Sequence, residues 1–159
     1  MDQEKIKSIV DMPAPSNPKE VQIYLGLINY YRRYIRDCSK ICAPLNNLLK
    51  TSIQFVFNQE CVDAFNKTKS ALISYPILRH ADETKPYLLY CDASGYAVGA
   101  ILAQSDESGE YVIQYASRLL DKYETKYPIS LKELTAIMFG IEKFGEFISD
   151  VYIYNYNGS

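Results

Sequence analysis

The sequence has few histidines and cysteines, the residues that bind zinc or form the disulfides that stabilise small domains. It has a single histidine, His80, and four cysteines, none of them in disulfide-framework spacing. His80 also lies too far from the cysteines in the sequence to suggest a zinc site. We therefore expect buried free thiols in a reducing compartment.

Long apolar runs are absent as well. No stretch of 18 apolar residues and no signal peptide occurs, and there are no internal repeats or low-complexity tracts. These absences predict an intracellular protein, cytoplasmic or nuclear, with no membrane partner.

The chain also lacks a strong net charge. Its 159 residues carry a net charge of −2, which by itself gives no reason to expect a nucleic-acid binder. Residues 1–50 hold eight Lys or Arg against five Asp or Glu, and the rest of the chain is acidic. This asymmetry fits two modules with different roles, and it also fits chance. Hydrophobic residues make up 48%, which is enough for a real core.

Helical periodicity dominates the first part of the chain. Helices are predicted over residues 4–11, 21–36, a segment after Ser39, and 59–74. Asn17 with Glu20 has the spacing of a capping box, and Ser39 and Asn58 are two further predicted caps. We expect a small helical module over residues 1–78.

Strand patterns follow the polar segment 79–85. Residues 87–92 and 96–104 resemble a hairpin, 111–117 a third strand and 151–156 a last one. A helix is predicted from Leu131 to Ile148, with Ser130 as its cap and Glu133 in the capping-box position. The expected class is α+β, with a mixed sheet and one packed helix in a second module, residues 79–159.

The first predicted strand delivers Asp92 to a turn formed by Ala93, Ser94 and Gly95. A carboxylate at the end of a central strand is one way to hold a metal, and it is equally a way to cap a turn. The local pattern leaves both interpretations open.

Several motifs in one order resemble a known family. Residues 24–35, YLGLINYYRRYI, are similar to FLGLxNYYRRFI, and residues 91–104, CDASGYAVGAILAQ, to TDASxxAxGAVLxQ. Residues 115–120, YASRLL, match YASRxL, and 127–144 resemble YxxxEKELLAxxxAxxKF. Residues 2–148 thus resemble Ty3/gypsy-type LTR retrotransposon polyproteins, from the reverse-transcriptase thumb (connection) into the RNase H domain.

The resemblance implies a two-metal nuclease that cleaves the RNA of an RNA–DNA hybrid, with Mg²⁺ held by four carboxylates. Asp92 matches the first carboxylate and Glu133 the second. The third falls on Tyr156 or Asn157, neither of them an acid, and the fourth has no counterpart. We therefore expect weak Mg²⁺ binding at most, no cofactor and no nuclease activity, so that the chain is a truncated, domesticated or fragmentary remnant. The alternative is an active RNase H completed by residues from elsewhere.

Two kinds of partner follow for a non-catalytic module. Arg32, Arg33 and Arg36 stand near aromatics, and the thumb of the family tracks the phosphates of a nucleic-acid duplex. These arginines are equally explained as the solvated end of a helix. A protein partner or a homodimer is the other prediction, through an open sheet edge that carries Tyr152, Tyr154 and Tyr156.

Overall fold

A computed structural model of the protein describes residues 3–74, 78–148 and 151–155. The chain folds into two compact units, Met1–Tyr75 and Pro76–Ser159, and each has its own hydrophobic core. The first unit is built from helices and the second from a sheet with one long helix, which confirms the α+β class. Within these described ranges no helix is both long and apolar enough to cross a membrane.

Over residues 3–74, the first unit contains four α-helices around one core. They are α1 (Gln3–Val10), α2 (Pro18–Tyr30), α3 (Cys38–Asn47) and α4 (Gln59–Ile73). Residues that recur at helical spacing supply the fully buried side chains, because one face of each helix turns inward. These core residues include Val21, Tyr24, Ile28, Leu45 and Leu72.

Two of the three predicted caps in this unit are confirmed. Asn17 Oδ1 accepts the Glu20 N–H at 3.0 Å, and the Glu20 carboxylate accepts the Ser16 N–H at 2.7 Å. Asn58 Oδ1 accepts the Cys61 N–H at 3.1 Å and so begins α4. The predicted cap Ser39 is wrong, because α3 begins at Cys38 and its N-cap residue is Asp37.

Helix α2 is shorter than predicted. It ends at Tyr30 rather than near Arg36, and a 3₁₀ helix at Arg32–Tyr34 follows. The tighter turn leads into Asp37, whose φ of 53° lies in the left-handed region. Helix α3 follows and packs against the same core as α2.

Over residues 78–148 and 151–155, the second unit forms a four-stranded mixed sheet. Strands β1 (Tyr87–Ala93), β2 (Ala97–Asp106) and β3 (Gly109–Leu119) form an antiparallel meander. Strand β4 (Val151–Asn155) pairs with β1 in parallel, so the order across the sheet is β3-β2-β1-β4. Strand β1 is therefore central, as expected for the strand that carries Asp92.

Helix α5 (Ile129–Lys143) packs across β1 and β2. Its contact side is made of small residues, Ala136 and Gly140, together with the buried ring of Phe144. A Cβ at residue 140 would lie only 3.0 Å from Cys91 Sγ and 3.2 Å from Ala100 Cβ, so any larger side chain there would force its neighbours to shift.

The large apolar residues of α5 mostly face away from the sheet. Leu134 is 49% exposed and Met138 63%, although both belong to the apolar periodicity that predicts this helix. The reason is that small side chains, rather than large ones, let the helix axis come close to β1.

Candidate functional site

Asp92 stands one residue before the end of β1 and is exposed. The burial of β1 alternates, so Leu89 and Cys91 point into the core. The turn after β1 is closed by Ser94, whose N–H donates to the Ala97 carbonyl at 2.8 Å and whose hydroxyl accepts the Ala97 N–H at 3.1 Å. Ser94, and not Asp92, therefore serves as the turn cap.

Glu133 lies in α5, two helical turns before Gly140 and hence on a similar side of the helix. The predicted capping box is wrong. The helix begins at Ile129, its N-cap is Pro128, and no side chain makes a capping hydrogen bond there. Glu133 is half-buried and is not needed to begin the helix.

The structure brings the elements of these two carboxylates together, because α5 packs on β1. The described residues nevertheless contain no group of three or more His, Cys, Asp or Glu that could hold a metal ion. Two carboxylates alone do not supply the number of ligands that Mg²⁺ requires.

The candidate third-acid positions, Tyr156 and Asn157, lie outside the described residues. The parallel pairing of β1 with β4 is described as far as Cys91 with Asn155, one residue before Asp92. Of the predicted interface tyrosines, Tyr152 and Tyr154 contribute backbone to β4. Their side chains, and the whole of Tyr156, fall outside the described part.

The three predicted nucleic-acid arginines differ in their surroundings. Arg32 donates to Asn29 Oδ1 at 3.2 Å and to Ser39 Oγ at 3.0 Å, which ties the end of α2 to α3. Arg36 lies 3.7 Å from the Asp37 carboxylate. Arg33 is exposed and stacks over the Tyr34 ring at 5.1 Å. Arg33 is therefore the best placed of the three to contact a phosphate.

The sequence motifs do not reveal a neighbouring surface, the exposed face of α2. Gln22, Gly26 and Tyr30 follow at intervals of four residues and are all exposed, Tyr30 by 74%. A Cβ added to Gly26 would meet nothing within 4 Å. A glycine inside a helix lowers helix stability, and here no packing inside the protein requires it. That glycine is the sequence signal that could have found this face.

Gly26 also lies between two grooves. One, of about 310 Å³, is lined by polar and thiol groups that include Asn29, Arg32 and Cys38. The other, of about 570 Å³, is apolar and is lined by residues that include Ile9 and Leu27. The α2 face thus has a groove on each side of Gly26, whose backbone is not covered by a side chain.

Comparisons with known proteins agree on one family. The sequence profile described as "RNase H-like domain found in reverse transcriptase" matches residues 57–153. The chain is 34% identical over 158 residues to the Retrovirus-related Pol polyprotein from transposon opus of Drosophila melanogaster. It is 36% identical over 147 residues to the Transposon Tf2-3 polyprotein of Schizosaccharomyces pombe. Each alignment covers 92% of this chain but only 16% and 11% of the respective polyproteins.

Solved structures show the same fold. The foamy viral protease-reverse transcriptase in complex with dsDNA covers all of this chain with a TM-score of 0.80, and the chain spans 34% of it. The same enzyme in complex with an RNA/DNA hybrid covers 98% of this chain with a TM-score of 0.79, and the chain spans 21% of it. Both are 22% identical in sequence, so the likeness concerns the fold.

Proposed function

We propose that this chain, which belongs to the family of RNase H-like domains found in reverse transcriptase, is a non-catalytic, retroelement-derived module. Its proposed role is to bind a nucleic-acid duplex. The observation that carries the proposal is the exposed face of α2, where Gly26 stands open between Gln22 and Tyr30.

The chemistry of this face suits a shallow groove. Gly26 lets another backbone approach the helix without a side chain in between. The Gln22 amide and the Tyr30 hydroxyl can each donate and accept hydrogen bonds. A-form-like duplexes offer base edges and 2′-hydroxyls in a wide, shallow minor groove, and Arg33 adds a phosphate contact. The foamy viral neighbours are described in complex with dsDNA and with an RNA/DNA hybrid, which supports this choice of ligand.

Fluorescence anisotropy with a labelled RNA–DNA hybrid tests the proposal. Gly26→Gln fills the open position with a good helix former and should weaken binding by about tenfold. Arg33→Ala should weaken binding and reduce the slope of log K against log salt by about 1. Lys67→Ala, which removes an exposed charge from α4, is the matched control and should lower affinity less than Arg33→Ala. Equal affinity of Gly26→Gln and the native chain would refute the assignment.

The absence of catalysis is part of the proposal. It is supported by the lack of any group of three or more metal-ligating side chains in the described residues. We expect no Mg²⁺-dependent cleavage of an RNA–DNA hybrid by this chain. Cleavage that Asp92→Asn abolishes would instead establish the second candidate function, an active RNase H. That candidate is favoured by family membership and by the exposure of Asp92, and Asp92 and Glu133 would then hold part of the Mg²⁺ site.

Self-association is the remaining candidate. Strand β4 lies at one end of the sheet order, and within the described residues no strand pairs with its outer side. An open edge can add a strand from a second copy. Size-exclusion chromatography with light scattering distinguishes the cases, because a monomer at all concentrations argues against this candidate and leaves duplex binding untouched.

A further inference from the structure

Two thiols lie together beside an arginine in the first unit. Cys38 is the first residue of α3 and Cys42 follows one helical turn later. Both are free and almost fully buried, with 5% and 4% exposure. Both line the polar groove of about 310 Å³ together with Arg32 and Asn46.

We propose that Cys38 and Cys42 form a thiol–disulfide exchange site for small disulfides that carry carboxylates. Cys38 is the attacking thiol and Cys42 the resolving thiol. Both thiols line the groove, and the Arg32 guanidinium at its wall is the group suited to a carboxylate.

The position of Cys38 makes it the nucleophile. A thiol at a helix N-terminus and near a guanidinium is stabilised as a thiolate. The hydrogen bond from Cys42 lowers the pKa of Cys38, and Arg32 acts in the same direction, although burial opposes both. The pKa of Cys42 is raised, first by that hydrogen bond and then by burial. Cys38 is assigned as the attacking thiol because it is the first residue of α3, and Cys42, one turn further along, as the resolving thiol.

The reaction balances without a further reagent. The Cys38 thiolate attacks one sulfur of the small disulfide, a mixed disulfide forms on Cys38, and the first thiol leaves. Cys42 then gives up its proton and attacks the Cys38 sulfur, which expels the second thiol. Two protein thiols are oxidised to one Cys38–Cys42 disulfide and one small disulfide is reduced to two thiols.

Closing that disulfide moves the start of α3. Cβ atoms one helical turn apart lie about 5–6 Å from each other, and a disulfide brings them to about 3.5–4.5 Å. The movement falls on the first helical residue, and no side-chain hydrogen bond from the N-cap Asp37 holds that end of the helix. The rest of α3 can stay helical.

The other two cysteines serve as internal controls. Cys91 Sγ packs against α5 at Gly140, and burial raises the pKa of Cys91 to about 11. Cys61 is buried, and its thiol donates to the Pro44 carbonyl at 3.8 Å. Burial also raises its pKa. Neither cysteine lines the polar groove.

The test treats the folded full chain with oxidised glutathione and follows intact mass and peptide maps. The native chain should lose two hydrogens and yield one Cys38–Cys42 peptide, with Cys61 and Cys91 still free. The reaction of Cys42→Ser should stop at one glutathionyl group on Cys38. Cys38→Ser should react at least about tenfold more slowly than the native chain. Peptide mapping of the native chain needs no variant and covers the case in which a variant misfolds. Modification of Cys61 or Cys91 at a rate equal to that of Cys38, or a stable mixed disulfide in the native chain, would overturn the proposal.

Discussion

The contact of α5 with the sheet makes Gly140→Ala a sharp test of the fold. In the native structure the space for a Cβ at this position is limited by Cys91 Sγ at 3.0 Å, Ala100 Cβ at 3.2 Å and Leu89 Cδ1 at 3.3 Å. All three contacts are tighter than ordinary van der Waals separation, so either the helix must lift or the strands must give way. Alanine is nevertheless the better helix former.

These two effects set the expected magnitude. Alanine in place of glycine inside a helix stabilises by about 1 kcal/mol. Forcing an additional methyl group into a close-packed core costs about 1–3 kcal/mol. Packing should win, because β1 and β2 are fixed by their ladder hydrogen bonds, and we expect a net loss of about 1 kcal/mol in the free energy of unfolding of the second unit.

The control is the same substitution in the other unit. Nothing lies within 4 Å of a Cβ at Gly26, so Gly26→Ala should stabilise the first unit by about 1 kcal/mol. Hydrogen exchange read peptide by peptide reports the opening free energy of each unit separately. In the Cys91→Ala background the cost of Gly140→Ala should shrink, because the nearest contact is gone. If Gly140→Ala stabilises as much as Gly26→Ala, the close approach of α5 to β1 is wrong.

Three further predictions concern single interactions. Asn58→Ala removes the cap of α4 and should cost about 1 kcal/mol, seen as a lower denaturation midpoint. Arg118, and then the Asp121 N–H, lower the pKa of Glu124 from 4.5 to about 2. This carboxylate therefore stabilises the fold above about pH 4.5 and loses that effect as the pH falls towards 2, so Glu124→Gln should flatten part of the acid unfolding curve. The buried Gln104 side chain bonds both the N–H and the carbonyl of Asp82, and Gln104→Leu should cost about 1–3 kcal/mol for each group left unpaired.

Local sequence signals predicted the elements of the fold well where a single interaction decides them. Asn17 and Asn58 mark helix starts because each bonds an N–H only three residues away. The end of α2 could not be predicted because it depends on tertiary packing, in which Arg32 bonds Ser39 and Asp37 takes a left-handed backbone conformation. The orientation of α5 was missed for a similar reason. Periodicity identifies an apolar stripe, but only the facing strand decides whether small or large residues meet it.

The candidate site was predictable only in part. The motif around Asp92 placed it correctly on the central strand, and the alternative of a turn cap is excluded by Ser94. The capping role of Glu133 was wrong because Pro128 starts α5 two residues earlier than Ser130 would. The sequence motifs did not predict the α2 face because the main feature of this face is a position without a side chain, Gly26.

The parallel pairing of β4 with β1 has a consequence for how the chain folds. Hairpin contacts join β1, β2 and β3 over short sequence distances, but the partner of Tyr87 in β4, Val151, follows roughly sixty residues later. Closure over so long a distance is slow, so the meander and α5 should form first and β4 should dock last. Until then the central strand has a bare edge, at which a nascent or partly unfolded chain is most exposed to aggregation.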